Sequence, residues 1–397
     1  MKALHGIRML DLTHMLSGPY AGMLLADMGA ETIKIEPPGR GEGTRRLLAD
    51  DPNNSKHGMG AYFLTLNRNK KSVTLNLKCE AGLKLFYELV ETADIVLNNF
   101  SAGVTKRLKI DYEQLSKINP RIITCTITGF GETGPGKNRP AFDMVAQATG
   151  GGMSITGQPD GPPTRAGIPF GDLGGGMMGV IGVLAALVAR QQTGRGQHVD
   201  ISMVDAQISL LNYMATMHFL SGEIPGQMGN GHFVHVPYNT FPTTDGYIII
   251  AVITDNFWIN LMELLDLPEL DTEENKVQPG RWRNRELINK KVSEAFQTKT
   301  QAYWISKLRE ARIPCAPVNN LAQALRDEQV VARNMVVEVE HSQGGTVKMP
   351  GNPIKLSHTY EDSFTSPPLL GEHTTEVLLN LGKTEAEIAD YFAVGVI

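Results

Sequence analysis

The sequence predicts an α/β protein: a large domain built on a mostly parallel sheet, followed by a smaller mixed domain. Over residues 7–202, short apolar strands alternate with helices, which is the pattern of parallel strands joined by crossover helices. A loop rich in glycine and histidine at 222–240 ends this alternation. We therefore expect the strands of the first half to share one sheet, with functional residues at their carboxyl ends.

Composition limits the classes of protein to consider. The 397 residues carry a formal net charge of -5, which gives no general attraction to nucleic acid or to acidic membranes. The amino-terminal run is short and broken by charge, so we expect neither a signal peptide nor a transmembrane segment. Cys79, Cys125 and Cys315 lack CxxC or metal-binding spacing, so we expect no disulfide, no metal and a cytoplasmic location.

The opening segment predicts a strand, a turn, a helix and a second strand. An apolar strand at 7–12 leads through a turn at 14–19 into a helix at 20–28. A second strand at 31–36 ends at two prolines. This β-turn-α-β unit lacks the GxGxxG of dinucleotide sites, so NAD binding is not predicted.

The rest of the first half continues the alternation. Strands are predicted at 72–77, 94–98, 121–128 and 198–202, and helices at 80–92, 142–149 and 204–218. Several residues suited to binding follow strands directly: His14, Lys78, Asn99, Phe100 and Gly129. Because the strands are parallel, these residues are expected at one edge of the sheet.

The second half predicts a smaller domain and a return segment. Strands are expected at 247–252 and 315–318, and helices at 256–265, 283–296, 301–311 and 321–327. Alternating apolar and polar residues around Gly344-Gly345 predict a β-hairpin within 336–357. A loop and two helices complete the chain from residue 367 onward.

One stretch, at 165–187, combines a carboxylate with glycines and a long apolar run. Asp172 follows Gly171 at the position expected of a helix N-cap, and an apolar helix is expected from 177 to 189, too short to span a bilayer. Asp172 could serve only as a cap. Alternatively, it is a nucleophile that the helix N-terminus keeps ionised and that glycines 174–176 leave open to a bulky substrate.

Two loops carry basic residues for which the sequence leaves more than one role open. The loop at 129–140 contains Lys137 and Arg139 among glycines, which suits either a solvated turn or a phosphate-facing loop. His232 and His235 lie in a glycine-rich loop with no third ligand nearby, so a metal site is not predicted. Either histidine could act as an acid or base, or simply order the loop.

A series of sequence blocks resembles family III CoA-transferases, the group that includes formyl-CoA transferase, carnitine CoA-transferase and α-methylacyl-CoA racemase. The resemblance covers nearly the whole chain, and the dicarboxylate CoA-transferase branch is the most similar. The blocks, in order, are GIRMLDLTHMLSGPYAGMLLADMGAETIKIEPPG, NRNKKSVTLNLK, DIVLNNFSAG, ITGFGETGP, FDMVAQATGGGMSITGQPDGPPTRAG, FGDLGGG, TGRGQHVDISMVDA, RIPCAPVNN and PLLGEHT.

The resemblance implies a Rossmann-like large domain plus an inserted small α+β domain, in an interlocked homodimer. The implied divisions are a CoA-binding part at 1–220, a small domain with its linkers at 221–330 and a return to the large domain at 331–397. The implied substrates are an acyl-CoA and a free carboxylic acid. No permanently bound cofactor, nucleic acid or membrane partner is expected.

The resemblance also assigns site residues. Asp172 matches the family nucleophile, which forms an aspartyl anhydride and then aspartyl-CoA. The resemblance also matches the family's active-site glycine loop to Gly229, Asn230, Gly231 and His232. The implied CoA contacts are His14, Leu16, Ser17, Leu75, Lys78, Asn99, Phe100, Arg107, Arg139, Pro140, Phe142 and Asp143.

Two departures from the family pattern matter for function. Pro37 stands where formyl-CoA transferase has a basic residue, so Arg40 or Arg45 is expected to replace that contact. Phe142 stands where the racemase branch has a histidine before its Asp, so transfer without α-epimerisation is expected.

The substrate expected from the resemblance is a small dicarboxylate such as succinate, glutarate or malate. Its distal carboxylate needs a cation or hydrogen-bond donors, for which Arg165, His232 and His235 are candidates. The alternatives are a racemase-like epimerase, a formyl/oxalate- or carnitine-type CoA-transferase, or a CoA-binding protein without activity.

Overall fold

The computed structural model describes residues 1–359 and 362–397. Its contacts divide the chain into two compact units. The first unit comprises 1–152, 165–223 and 329–397, and the second comprises 153–164 and 224–328. The short segment 153–164, which the sequence boundaries did not set apart, therefore belongs to the second unit.

A six-stranded parallel sheet forms the centre of the first unit. The strands up to residue 202 are β1 (Arg8–Asp11), β2 (Glu31–Glu36), β3 (Ser55–Lys56), β4 (Met59–Gly60), β5 (Lys70–Thr74), β6 (Ile95–Asn98), β7 (Ile123–Thr128) and β8 (His198–Ser202). The order in the sheet is β5-β2-β1-β6-β7-β8, while β3 and β4 form a separate antiparallel pair. All pairings in the large sheet are parallel, which confirms the predicted α/β class.

Strand order places a crevice between β1 and β6. The chain builds outward from β1 through β2 to β5, then returns to place β6 on the other side of β1. The connections that follow β1 and β6 therefore leave in opposite directions. In open parallel sheets, ligands bind at the carboxyl ends of the strands at such a point.

Helices cover both faces of this sheet. Those up to residue 221 are α1 (Ser17–Asp27), α2 (Ala61–Leu66), α3 (Glu80–Glu91), α4 (Val104–Leu108), α5 (Tyr112–Ile118), α6 (Asp143–Thr149), α7 (Phe170–Thr193), α8 (Met203–Leu211) and α9 (Tyr213–Ser221). Met9 packs with α1 and α7, whereas the next residue, Leu10, packs with α3 and α5 on the opposite face. This alternation follows from the two-residue period of a strand.

Helix α7 is longer than the sequence predicts, because it includes Gly174, Gly175 and Gly176. A Cβ atom added to Gly176 would lie 2.7 Å from the carbonyl oxygen of Ser17, so glycine permits close packing on α1. This packing outweighs the poor helix propensity of glycine. The helix is long and apolar enough to cross a membrane by length and composition alone, but Val183 and Ala186 pack in the protein core.

The predicted helix at 204–218 is in fact two helices, α8 and α9. They are separated at Asn212, whose φ of 50° lies in the left-handed region. Asparagine tolerates this conformation better than most residues because its side chain is short and polar.

The second unit is built on a three-stranded antiparallel sheet. Its strands are β9 (Tyr238–Pro242), β10 (Tyr247–Ala251) and β11 (Cys315–Pro317), in the order β11-β10-β9. Its helices are α10 (Asp255–Leu265), α11 (Gln278–Arg283), α12 (Arg285–Phe296), α13 (Gln301–Glu310) and α14 (Leu321–Ala324). Its own core gathers Phe241, Ile248, Trp258 and Phe296, all buried.

The remaining chain returns to the first unit. Helix α15 (Glu328–Ala332) leads to the predicted hairpin, β12 (Val336–Glu340) paired antiparallel with β13 (Thr346–Pro350). Helices α16 (Thr374–Asn380) and α17 (Glu385–Ala393) follow. Val377 and Ile388 from these helices join the hydrophobic cluster on the α3 face of the large sheet.

Candidate active site

Asp172 lies in the first turn of α7, and it does not cap that helix. The N-cap residue is Pro169, which makes no side-chain capping bond, so the expectation that Asp172 is the N-cap is wrong. The cap comes from α6 instead. Asp143 Oδ1 accepts the backbone N–H of Gly171 at 2.8 Å and that of Asp172 at 3.3 Å. The side chain of Asp172 is therefore not needed to satisfy these amides.

Asp143 is itself held in place by a short network. Its Oδ2 accepts the side-chain N–H of Gln147 at 2.8 Å, and Gln147 Oε1 accepts the backbone N–H of Ala166 at 3.0 Å. Ala166 directly follows Arg165. The network thus fixes the segment that leads into α7, and with it the position of Asp172.

The electrostatics of Asp172 differ from the expectation for a helix N-terminus. Burial, with a contribution from the neighbouring Asp143 carboxylate, raises the pKa of Asp172 to about 6. The field of the helix N-terminus was expected to favour ionisation, but desolvation and a like charge outweigh it. The carboxylate is a stronger base than an ordinary aspartate and is still ionised at neutral pH.

The three glycines after Asp172 do not open a path for a substrate. Cβ atoms added at these positions would meet Leu210 of α8 from Gly174, Met203 of α8 from Gly175, and α1 from Gly176. All three glycines are buried. Their role is close helix packing, so the accessibility of Asp172 has another origin.

That origin is a cavity of about 510 Å³, here called the Asp172 cavity. Asp172 lines it together with residues from the loops after β1, β6 and β7. The other predicted site residues along its wall are His14, Leu16, Ser17, Asn99, Phe100, Arg139, Pro140, Phe142, Asp143 and Arg165.

A second cavity, of about 860 Å³, lies at the carboxyl ends of β1, β2 and β5. Its wall holds the remaining predicted CoA contacts, Leu75, Lys78 and Arg107, and also Arg40 and Arg46. We call it the cationic cavity. In the described residues, none of its four basic side chains forms an ion pair, so their charge is available to a ligand.

His14 and Phe100 line both cavities, so the two cavities adjoin there. Their ring centroids are 5.6 Å apart. Asn99 holds this point in place: its Oδ1 accepts the backbone N–H of His14 at 2.9 Å, and its Nδ2 donates to the His14 carbonyl at 2.7 Å. The junction lies after β1 and β6, where the strand order reverses.

The structure distinguishes among the basic residues near Pro37. Arg45, one of the two expected replacements, makes two 2.6 Å hydrogen bonds to the buried Glu36 carboxylate and lies over the ring of Phe63. Its guanidinium group therefore stabilises the fold and is not available to a ligand. Arg40 does line the cationic cavity. Arg46, which was not among the predicted residues, lines it as well, and its Nη1 donates to the Arg40 carbonyl at 2.9 Å.

Tyr62 is a second cavity residue that sequence reasoning missed. It comes from the short helix α2 and lines the Asp172 cavity, as does Lys137 from the loop after β7. No local signal marks Tyr62, since the helix that carries it reads as an ordinary apolar segment. Its place depends on how α2 packs beside β4.

The predicted loop at Gly229–His232 belongs to the second unit. Within that unit, Gly229 donates its N–H to the Gly157 carbonyl at 2.9 Å, and Asn230 Nδ2 donates to Thr240 Oγ1 at 2.7 Å. His232 Nδ1 accepts the backbone N–H groups of Val234 and His235. The neutral His232 ring therefore carries its proton at Nε2. The role of this loop in the reaction stays a prediction.

Comparison with known proteins identifies the class of enzyme. The chain matches CoA-transferase family III over residues 4–374, so it belongs to that family. It is 38% identical to succinyl-CoA:mesaconate CoA-transferase of Haloarcula marismortui, over 96% of this chain and 97% of that protein. It is 34% identical to succinyl-CoA:glutarate CoA-transferase of Homo sapiens, over 100% and 90% of the two chains.

A solved structure agrees with the observed fold. The CAIB/BAIF family protein from Brucella suis matches with a TM-score of 0.84 and 34% identity, over 96% of this chain and 99% of that one. The resemblance inferred from the sequence blocks is thereby confirmed. The protein is a CoA-transferase, an enzyme whose substrates are CoA thioesters.

Proposed function

We propose that this enzyme moves CoA from succinyl-CoA or a similar donor to a small dicarboxylic acid. The main observation behind this proposal is the position of Asp172. Its carboxylate has a raised pKa, does not cap α7, and lines a cavity. The relatives named for succinyl-CoA with mesaconate or glutarate support this choice of substrates.

The proposed reaction consists of four acyl transfers. The Asp172 carboxylate attacks the thioester carbonyl, forming a mixed anhydride and releasing CoA thiolate. The thiolate attacks the aspartyl carbonyl, giving aspartyl-CoA and the free donor acid. The acceptor carboxylate then attacks aspartyl-CoA, forming a second anhydride and releasing the thiolate again. Attack on the acceptor acyl carbon gives the new thioester and restores Asp172.

We place CoA across both cavities of the first unit. Lys78, Arg107, Arg46 and Arg40 suit the phosphate groups at the nucleotide end, since cations bind phosphate through charge-assisted hydrogen bonds. The pantetheine arm then passes His14 and Phe100 and brings the thioester to Asp172. This path follows from the two cavities adjoining at that pair.

The distal carboxylate of the acid needs a cation near Asp172. Arg165, a sequence candidate, lines the Asp172 cavity, and so do Lys137 and Arg139. Arg139 stacks on Phe130 at 4.2 Å, which orients it, so Arg165 is our choice for the distal carboxylate. His232 and His235 lie in the second unit and remain predicted alternatives.

The substrate proposal is tested with a panel of acids. Succinyl-CoA is the donor, no ATP is added, and mono- and dicarboxylic acids and carnitine compete as acceptors. We expect dicarboxylates to have the highest kcat/KM, and Arg165→Met to lower it for dicarboxylates more than for monocarboxylates. A large preference for formate, another monocarboxylate or carnitine would contradict the dicarboxylate assignment while leaving CoA transfer intact.

The nucleophile is tested by substitution and by trapping. Asp172→Asn preserves the shape of the side chain and, because Asp143 provides the cap, should fold normally and still bind CoA. We expect its transfer rate to fall to background. Acyl-CoA with hydroxylamine should modify the wild-type protein at Asp172, as read by peptide mass spectrometry. Turnover near the wild-type rate in Asp172→Asn would refute the assignment.

We propose an interlocked homodimer. Helix α9 has no buried residue, and its Phe219 and Leu220 are 82% and 83% exposed. Exposed apolar surface of this kind is typical of a protein interface, and a second copy of the chain is the simplest partner for it. Light scattering should give a dimer at nanomolar concentration. Differently tagged dimers should not exchange subunits without denaturant, whereas a monomer or rapid exchange would contradict interlocking.

A cytoplasmic location is also a proposal. Cys79, Cys125 and Cys315 are all free thiols within the described part of the chain, which suits a reducing compartment. Cell fractionation with an activity assay tests it, and recovery of the activity outside the cytosolic fraction would contradict it.

A further inference from the structure

We infer that Lys34 is a positioning residue for CoA: from inside the sheet, it holds the β1–α1 loop in the shape that presents His14, Leu16 and Ser17 to the substrate. The inference rests on the proposed CoA site. It concerns a residue that lines neither of the two cavities and was not among the predicted site residues.

Lys34 is a fully buried lysine whose side chain contacts the β1–α1 loop. It lies in β2, is 0% exposed, and its Nζ donates to the backbone carbonyl of Thr13 at 2.8 Å. Among the described residues it has no ion-pair partner. A buried ammonium group is costly unless its hydrogen bonds are well made. Its one acceptor is the residue immediately before His14.

Two more buried charges hold the same loop. Asp11 Oδ1 accepts the backbone N–H of Thr13 at 2.8 Å as well as its hydroxyl. Asp11 Oδ2 accepts Lys70 Nζ at 2.8 Å, and Lys70 also donates to the carbonyl of Pro19 in the first turn of α1 at 3.2 Å. Burial opposes ionisation of Asp11, but Lys70 and then Lys34 outweigh it and hold its pKa below the ordinary range.

Helix α1 packs directly on this cluster. A Cβ atom on Gly22 would lie 2.8 Å from Asp11 Oδ2, and one on Gly18 would lie 2.5 Å from the Thr13 side chain. The helix therefore rests on the charged groups with no room between them. A change in the cluster is transmitted to the loop and to the start of α1.

The loop needs this support because its backbone is strained. Met15 has a φ of 64°, in the left-handed region that a non-glycine residue adopts only at a cost in free energy. Such a conformation persists only when its surroundings impose it. Asn99 holds His14 from the cavity side, and Lys34 and Asp11 hold Thr13 from the sheet side. Removing Lys34 leaves Thr13 held from the sheet side by Asp11 alone, so the strained turn is held less firmly there.

Lys34 also acts on the charge of His14. Burial lowers the pKa of His14, the positive charge of Lys34 lowers it further, and Glu42 and Asp11 oppose both effects. His14 thus stays neutral at physiological pH. Its titration is a reporter of Lys34 that does not depend on catalysis.

The test compares Lys34→Met with the wild type in steady-state kinetics. Loss of one well-placed hydrogen bond to the loop should raise the KM for the acyl-CoA donor roughly tenfold, while kcat stays within about twofold. The KM for the acceptor acid should change little. In NMR, the His14 titration midpoint should move to higher pH, and amide exchange over residues 13–17 should accelerate.

Lys71→Met is the matched control. Lys71 is the neighbour of Lys70 in β5, but it faces outward and pairs with Glu31 and Glu376. The Lys71→Met substitution should leave the KM for the acyl-CoA donor unchanged. Lys34→Gln, whose side chain is uncharged and one bond shorter than that of lysine, is the second variant if Lys34→Met does not fold, and the same rise in KM is expected.

The outcomes separate this inference from the proposed function. Absence of CoA transfer in the wild-type protein would refute the proposed function itself. Wild-type transfer together with an unchanged KM and unchanged His14 titration in folded Lys34 variants would overturn the role of Lys34. A fall in kcat with unchanged KM would overturn it as well, because that pattern indicates loss of chemistry, not of CoA binding.

Discussion

Asp143 accepts the backbone N–H of Asp172 at 3.3 Å, so one carboxylate caps the helix that carries the other. From the sequence, capping and nucleophilic attack were alternative roles of Asp172, and the structure assigns the cap to Asp143. Asp143 accepts N–H groups in the first turn of α7, so the Asp172 carboxylate is not needed for capping. The same proximity raises the pKa of Asp172, after the larger effect of burial. Two predictions depend on this pair.

The first prediction concerns the pH dependence of transfer. In the proposed reaction only the ionised Asp172 is a nucleophile, so kcat/KM should rise with pH, inflect near the pKa of about 6 and level off above it. Asp143→Asn keeps an oxygen for the amide N–H groups but removes the neighbouring charge. It should move the inflection to lower pH, without reaching an ordinary aspartate value, because burial remains. An inflection that moves up or stays fixed would contradict the charge coupling.

The second prediction concerns stability. A carboxyl group whose pKa is higher in the folded than in the unfolded state stabilises the fold at low pH and loses that effect as pH rises to the folded pKa. Between pH 4 and 8, ionised Asp172 should cost at most on the order of 2–3 kcal/mol. Asp172→Asn should therefore exceed the wild type in free energy of unfolding at pH 8 and approach it at pH 4. Urea denaturation at both pH values measures this; a lower stability than the wild type at pH 8 would be inconsistent with it.

The third prediction contrasts two adjacent arginines. Arg46→Ala should raise the KM for CoA esters severalfold with little effect on stability, because its side chain lines the cationic cavity without an ion pair. Arg45→Ala should chiefly destabilise the protein, since it strands the buried Glu36 carboxylate. Dephospho-CoA esters provide the control: if Arg46 binds the 3′-phosphate, the substitution should matter less with them. Equal effects on both substrates would place Arg46 elsewhere along CoA.

The fourth prediction concerns the alternative reaction. Phe142 is 67% exposed and lines the Asp172 cavity at the position where the racemase branch has a histidine. Its ring cannot accept a proton, so α-proton exchange lacks one of its two bases. A chiral 2-methylacyl-CoA in heavy water should show no deuterium at the α-carbon during transfer. Deuterium uptake at a rate that matches CoA transfer would show that another residue acts as the second base.

Much of the fold was predictable because the sequence pattern is strong there. Strand β2 and helix α3 were predicted nearly to the residue, since apolar periodicity and a proline or polar boundary mark their ends. Family membership was also clear from the motif blocks, which the match over residues 4–374 confirms. The beginning of α7 was predicted seven residues late, because local propensity disfavours the glycines that its packing on α1 requires.

The sequence by itself determined the family of the enzyme and placed polar residues after parallel strands, and from the family it predicted Asp172 as the nucleophile. Only the tertiary structure decided what each neighbour does. The bond from Asp172 to its cap Asp143 joins residues 29 apart in the chain. Arg45 pairs with Glu36 while its neighbour Arg46 lines the cationic cavity, and Lys34 contacts a loop that lies 21 residues earlier in the chain. The physical reason is common to all three: hydrogen bonds and desolvation depend on which groups meet in space, and local sequence periodicity does not encode contacts between distant segments.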